Sequence, residues 1–123
     1  MKKIRTFRDL EVHQLAHELA MRIFKASKSF PVEERYSLTD QIRRSSRSVA
    51  VNIAEGWGKR YYENLFKRHL IDSIGSLEET KAWLLFALDC GYLEKKEYDF
   101  LLKEYEILGA KLFKLSTTWR SKP

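Results

Sequence analysis

Residues 95–119 read KKEYDFLLKEYEILGAKLFKLSTTW and carry the strongest periodic signal of the chain. Apolar side chains recur in this segment at alternating steps of three and four residues. That heptad pattern is typical of a helix that buries one face against other helices. We therefore predict a helix from about Lys95 to Trp119. Its buried seam comprises Tyr98, Leu101, Tyr105, Leu108, Leu112, Leu115 and Trp119.

Three further amphipathic segments precede it. Their apolar spacing predicts helices from about Leu10 to Lys28, from Ser37 to about Gly58 and from about Tyr61 to Cys90. Short connections between consecutive helices favour antiparallel neighbours. We therefore predict an all-α, antiparallel up-down-up-down four-helix bundle that forms a single domain over residues 1–123.

Several small residues carry local predictions. Gly56 and Gly58 are expected to end the second helix in a left-handed turn. Gly75 lies inside the third helix, where glycine costs about 1 kcal/mol relative to alanine, so we expect a neighbouring helix to approach it closely. Cys90 is expected to be a core residue at the end of the third helix.

The composition limits the functional class. The 123 residues contain one cysteine, which excludes an internal disulfide and suits a reducing compartment. No apolar run approaches the length of a membrane span, and the N-terminus lacks the apolar segment of a secretory signal. We predict a cytoplasmic protein without a membrane partner. The formal net charge of +6 favours polyanionic partners.

Basic residues are expected to gather at one end of the bundle, where the start of the first helix, the second turn and the chain end meet. We call this set the basic pole. A cluster of this kind is typical of phosphate-backbone binding, and the alternative is a solvated surface that keeps the protein soluble. The basic pole comprises Lys2, Lys3, Arg5, Arg8, Lys59, Arg60, Lys111, Lys114 and Arg120.

A second basic group, Arg43, Arg44 and Arg47, lies in the second helix. Arginine suits phosphate because its planar guanidinium presents a fork of donors. The alternative is a set of ion pairs, inside the bundle or between subunits, with acids such as Asp72, Glu78 or Glu79.

The second helix is apolar nearly all round between residues 49 and 54. A helix of this kind needs a second partner beyond its own bundle. We therefore predict a homo-oligomer, with Asn52 hydrogen-bonded across a helix pair. The predicted interface residues are Val49, Val51, Asn52, Ile53 and Trp57.

Catalytic and metal-binding patterns are weak. His13 and His17 have a spacing that can hold a metal, but no third ligand completes the site in sequence. We interpret them as surface histidines. There is no glycine-rich phosphate loop or nucleophile elbow. We predict no enzymatic activity, no cofactor and no metal.

Residues 41–56, QIRRSSRSVAVNIAEG, closely resemble the signature of a four-helix-bundle family encoded in intervening sequences of bacterial 23S rRNA genes, which often carries a ribosomal-protein-like label. The flanking segments 7–12, 30–31, 75–79 and 91–93 agree with it. The resemblance implies pentameric rings of bundles. It also implies a fold similar to the accessory variability protein of diversity-generating retroelements, a basic pentamer that binds nucleic acid and a reverse transcriptase.

Three positions depart from the family pattern. The family often has proline where Ala50 stands, commonly has tryptophan where His13 stands, and usually has an apolar residue where Arg47 stands. Arg47 therefore adds charge either to an interface or to a basic lining. A ring would align several basic poles on one face and multiply a weak attraction by avidity.

Two functional hypotheses follow. The first is a non-enzymatic homo-oligomer that binds RNA or DNA, with RNA favoured, through phosphate contacts. The second is a protein-interaction scaffold, or an accessory subunit of a larger nucleic-acid enzyme such as a reverse transcriptase, which would expose an apolar patch for its protein partner.

Overall fold

The structure, a computed structural model, describes residues 3–122, and over these residues it contains helices and no strand. This confirms the predicted all-α class. The helix boundaries lie within about two residues of those predicted. Two 3-10 turns, Phe7–Asp9 and Val32–Glu34, accompany the four long helices. The helices are α1, Glu11–Ser27; α2, Leu38–Gly58; α3, Glu63–Asp89; and α4, Lys95–Thr118.

Contacts between the first and last helices show that they are antiparallel. Arg22, late in α1, forms an ion pair of 2.9 Å with Glu97 at the start of α4. Glu11, at the start of α1, pairs with Lys111 late in α4. The bundle therefore closes on itself, with α4 packed against both α3 and α1.

Helices α2 and α3 approach closely because small residues line their contact. The Ser73 hydroxyl donates to the backbone carbonyl of Val49 at 2.7 Å, and the Thr80 hydroxyl donates to the Ser45 hydroxyl at 2.9 Å. These polar groups are buried, and each bond satisfies an atom that would otherwise be costly to desolvate. The contact fixes both the spacing of the two helices and the rotation of α2.

The heptad seam predicted for α4 lies in the core. Four of its members are fully buried, and the other three pack partly buried against the same core. Phe66 and Leu70 of α3 face them from inside the bundle. The fully buried members are Leu101, Tyr105, Leu108 and Leu112.

Three local predictions were wrong. Helix α2 does end at Gly58, as predicted, but not in a left-handed turn, since Gly91, with φ of 77°, is the one residue of positive φ in the described chain. At Gly56, the absence of a side chain lets Phe66 and His69 of α3 pack closely against α2. Gly75 has no atom of a neighbour within 4 Å of a Cβ placed on it, so no helix of the same chain approaches it. Cys90 is exposed.

The two helical glycines should respond oppositely to alanine. Gly75→Ala should stabilise the protein by about 1 kcal/mol, because alanine lowers the entropy of the unfolded chain and meets open space. Gly56→Ala should destabilise it by about 1–3 kcal/mol, because the new Cβ would lie 2.8 Å from the Cβ of His69. Urea unfolding of both variants measures these differences. A loss of stability at Gly75 would instead indicate a second copy packed against it.

Glu34 holds the entry to α2. Its carboxylate accepts hydrogen bonds from the Ser37 hydroxyl at 2.6 Å, the Tyr92 hydroxyl at 2.9 Å and the Leu38 backbone N–H. These bonds, the one from Ser37 foremost, lower the pKa of Glu34 below its ordinary value. The Ser37 side chain makes no capping bond. The backbone N–H of Leu38 at the start of α2 donates instead to the carboxylate of Glu34.

Replacing this carboxylate should produce a pH-dependent loss of stability. Because the pKa of Glu34 is lowered on folding, its ionised form stabilises the folded state above the ordinary glutamate pKa, and that contribution disappears as the pH falls below it. Thermal unfolding of Glu34→Gln should therefore show a lower Tm than the parent at pH 7 and a smaller difference at about pH 3. Glu33→Gln, at the exposed neighbouring position, is the matched control. An equal difference at both pH values would contradict the prediction.

Candidate nucleic-acid interface

Part of the basic pole is assembled by contacts that join the end of α2 to the chain end. The rings of Trp57 and Trp119 lie 6.1 Å apart, edge to face. The Ser121 hydroxyl donates to the backbone carbonyl of Arg60 at 2.6 Å. The guanidinium of Arg60 stacks on Trp57, 4.1 Å from the ring centroid, which fixes its position at this end of the bundle.

Acids partly neutralise the same end. Lys111 is paired with Glu11. Glu63 pairs with Lys67, and its pKa is lowered first by the backbone N–H of Ser121 and also by the charge of Arg120. The basic pole is therefore interrupted by carboxylates contributed by the starts of α1 and α3.

The other members of the basic pole are less constrained. Lys59 Nζ lies 3.0 Å from His69 Nε2. The remaining predicted members that the structure describes, Lys3, Arg5, Arg8 and Lys114, are exposed. Lys2 lies outside the described residues.

The second predicted group forms a concave site. Arg43, Arg44 and Arg47 line a groove of about 500 Å³ between the end of α1 and the first half of α2. The packing of α1 and its following loop adds Lys28 and Arg35. We call these five residues the arginine groove; Asp40 is the one acid among the groove's lining residues.

Three of these cations surround one aromatic ring. The Phe24 centroid lies 4.9 Å from Lys28 Nζ, 4.8 Å from Arg43 Cζ and 5.7 Å from Arg47 Cζ. Arg43 Nε also donates to the buried Ser27 hydroxyl at 2.8 Å, which orients the rest of its guanidinium. The ring attracts each cation, but the cations repel one another across a short distance.

No carboxylate within residues 3–122 forms an ion pair with these three cations. The alternative of ion pairs between the arginines and Asp72 or Glu78 inside the bundle is therefore wrong, since Arg43 leans toward α1 rather than α3. Sequence reasoning missed Lys28 and Phe24 because only the packing of α1 on α2 brings them to the arginines.

Of the residues predicted to form an oligomer interface, some are buried inside their own chain and others are exposed. Val49, Ile53 and Trp57 are buried in the core of their own chain. The prediction that they lie in an oligomer interface is therefore wrong. Their side chains face inward because α2 is in contact with α1 and α3 along that side. Val51 is 52% exposed. Asn52 is half-buried, and its Oδ1 lies 3.4 Å from His69 Nδ1 of α3, a contact across the helix pair.

The ring centroids of the two histidines of α1, His13 and His17, lie 6.1 Å apart. The His13 ring is buried against Phe7, with ring centroids 4.6 Å apart, so its interpretation as a surface residue was wrong. Burial first, and then the nearby His17, lower the pKa of His13. Among the residues that the structure describes, no three histidine, cysteine or acidic side chains converge as metal ligands.

Among the described residues, no helix combines the length and the apolar character that are needed to span a bilayer.

Comparison with known proteins gives a family and a fold. A sequence profile described as "23S rRNA-intervening sequence protein" matches residues 8–114. A crystal structure from Bacteroides thetaiotaomicron, described as a protein with unknown function from the S23 ribosomal protein family, superposes with a TM-score of 0.78. It is 23% identical, and the match covers 87% of this chain and 99% of that chain. No functionally curated protein shows significant similarity.

Proposed function

Since the chain belongs to the family of 23S rRNA-intervening sequence proteins, we propose that it is a non-enzymatic, homo-oligomeric helical bundle that binds nucleic acid, RNA in particular, through phosphate contacts. A ring of five copies is the form that we expect. The family has no established activity, so the proposal depends on the chemistry of the surface rather than on the family name.

The observation that carries the proposal is the set of three cations around Phe24. Three cations held within 5.7 Å of one ring centroid repel one another, and an anion between them would remove that repulsion. Protein carboxylates do not supply that anion within the described chain. A phosphate would supply that anion, because guanidinium groups bind its oxygens in charge-assisted and often bidentate hydrogen bonds.

The basic pole adds a second region of contact. Arg43 and Arg60 lie 17 positions apart along the α2 segment, which corresponds to about 25 Å at the rise of an α-helix. An RNA that reaches both regions must span that length. Contacts of this type are made to the backbone, so they favour binding with little sequence preference and strong salt dependence.

Neutralising two cations of the arginine groove should weaken RNA binding more than removing the same charge elsewhere. Lys28→Gln/Arg47→Gln should reduce affinity at low salt by at least about tenfold, since each charge-assisted bond contributes about 1.5–3 kcal/mol. The slope of log K against log salt should fall by about 1.4, because each phosphate of a single strand that the protein no longer neutralises lowers it by about 0.7. Fluorescence anisotropy with a labelled RNA across a salt series measures both quantities.

The matched control is Arg68→Gln/Lys103→Gln, which removes one arginine and one lysine from exposed positions outside the arginine groove. Equal effects of the two double variants would mean that binding follows net charge alone. Absence of binding by the parent protein at low salt would overturn the proposal and favour the protein-interaction scaffold, whose partner would then be sought.

Self-association is the second part of the proposal. Val51 of α2 and Ile71 of α3 each expose more than half of their surface. These residues lie at one height of the bundle, because the Ser48 hydroxyl meets the Ser76 hydroxyl at 2.8 Å beside them. Exposed apolar side chains at one height of the bundle suit contact with a second copy of the chain.

A charge at Val51 should dissociate the oligomer. Val51→Glu would bury a carboxylate in the proposed interface, at a cost that exceeds the contribution of one apolar contact. Light scattering should show the mass of a single chain for Val51→Glu and a multiple of it for the parent. Val32→Glu, at an exposed position in the loop before α2, is the control and should keep the parent mass. A monomeric parent would contradict the prediction.

A further inference from the structure

A cleft of about 590 Å³ lies on the other side of the first turns of α2, between α2 and the end of α3. Three aromatic side chains line it, and we call it the aromatic cleft: Tyr36, Trp83 and Phe86. Tyr36 is 85% exposed and Phe86 is 57% exposed. Large aromatic side chains exposed side by side on a folded chain indicate a binding surface more often than isolated ones do.

The aromatic cleft is built to hold flat apolar groups. The rings of Trp83 and Phe86 lie 5.8 Å apart, and the Trp83 indole N–H donates to the Glu79 carboxylate at 3.0 Å, which fixes the indole plane. Within residues 3–122, no lysine or arginine lines the cleft, whereas Glu34 contributes a carboxylate. A phosphate would be repelled from this cleft, but a nucleobase would stack on its rings.

The aromatic cleft and the arginine groove share one wall. The first turns of α2 direct Ser37 and Gln41 into the cleft and Asp40 into the groove. Arg35 and Tyr36, adjacent in the chain, line the groove and the cleft respectively, with the Arg35 guanidinium 5.9 Å from the Tyr36 ring. The two sites are therefore separated by about one helix diameter, about 10–12 Å.

We propose that the aromatic cleft binds unpaired bases of a single-stranded RNA whose phosphates lie in the arginine groove. This inference rests on the proposed function and specifies its substrate class. The side-by-side arrangement of a cationic groove and an aromatic platform is complementary to a strand that carries phosphates along one edge and bases along the other. A duplex does not fit, because its bases are stacked and paired inside the helix.

The preference for single strands distinguishes this mode from general electrostatic attraction. A duplex carries about twice the charge of a single strand per unit length, so a purely electrostatic surface binds the duplex more tightly. Bases stacked on aromatic rings reverse that order. We expect the parent protein to bind an oligouridylate of about twelve nucleotides at least about fivefold more tightly than the same strand paired with its complement.

The test compares two double variants by fluorescence anisotropy at low salt. Tyr36→Leu/Phe86→Leu removes two rings of the aromatic cleft and should abolish the single-strand preference while leaving duplex affinity unchanged. Tyr62→Leu/Phe113→Leu removes two similarly exposed rings elsewhere and should retain the preference. Circular dichroism and light scattering test whether each variant keeps the helicity and the mass of the parent.

The outcomes separate this inference from the function on which it rests. Equal binding of single strand and duplex by the parent, or equal effects of the two double variants, would overturn the cleft and leave phosphate binding in the arginine groove intact. A lower oligomer mass for Tyr36→Leu/Phe86→Leu would also overturn it, because a second copy would then cover the cleft. Failure of the parent to bind either RNA would overturn the proposed function itself.

Discussion

The close packing of α2 against α3 determines how the rest of the molecule is presented. Buried hydroxyl groups take part in this contact, and Ser73 and Thr80 bond directly to α2. A missing side chain at Gly56 lets Phe66 and His69 approach. Small residues permit a short distance between helices, and the bond from Ser73 to the Val49 carbonyl makes the rotation of α2 specific, since a turn about its axis would remove that acceptor.

That rotation distributes the charges of α2. Because α2 directs its small residues at α3, Arg43 lies on the side of α1 and over Phe24, while Arg44 and Arg47 remain exposed. The resulting cluster of cations is locally unfavourable without an anion. Local conflicts of this kind in an otherwise consistent fold are expected at functional sites, where binding a ligand offsets the cost.

Family membership and surface chemistry contribute different information. The family profile and the crystal structure from Bacteroides thetaiotaomicron establish what kind of bundle this is. At 23% identity the structural likeness extends to the fold alone. The arrangement of cations and rings around the first turns of α2 belongs to this chain. A hypothesis about ligands therefore has to be argued from these side chains, because one helical scaffold can present many different surfaces.

The sequence by itself determined the elements of the fold. Heptad spacing in α4 and amphipathic spacing in the other helices identified the four helices, because a helix that buries one stripe must repeat its apolar residues every three or four positions. The sequence also identified Arg43, Arg44 and Arg47 as a group, since a helix brings positions four apart together. It could not show that Val49, Ile53 and Trp57 face inward, because an apolar run is compatible with either a core or an interface.

Only the tertiary structure decided which side chains from different helices meet. Phe24 and Lys28 join the arginines through the packing of α1, and Tyr36, Trp83 and Phe86 converge from segments about 50 residues apart. Glu11 reaches Lys111 and so reduces the charge of the basic pole, although residues 1–8, 59–60 and 107–123, which supply that pole, contain no acid. Such contacts depend on helix rotation and crossing, which arise from the shapes of all buried side chains together and leave no local pattern in the sequence.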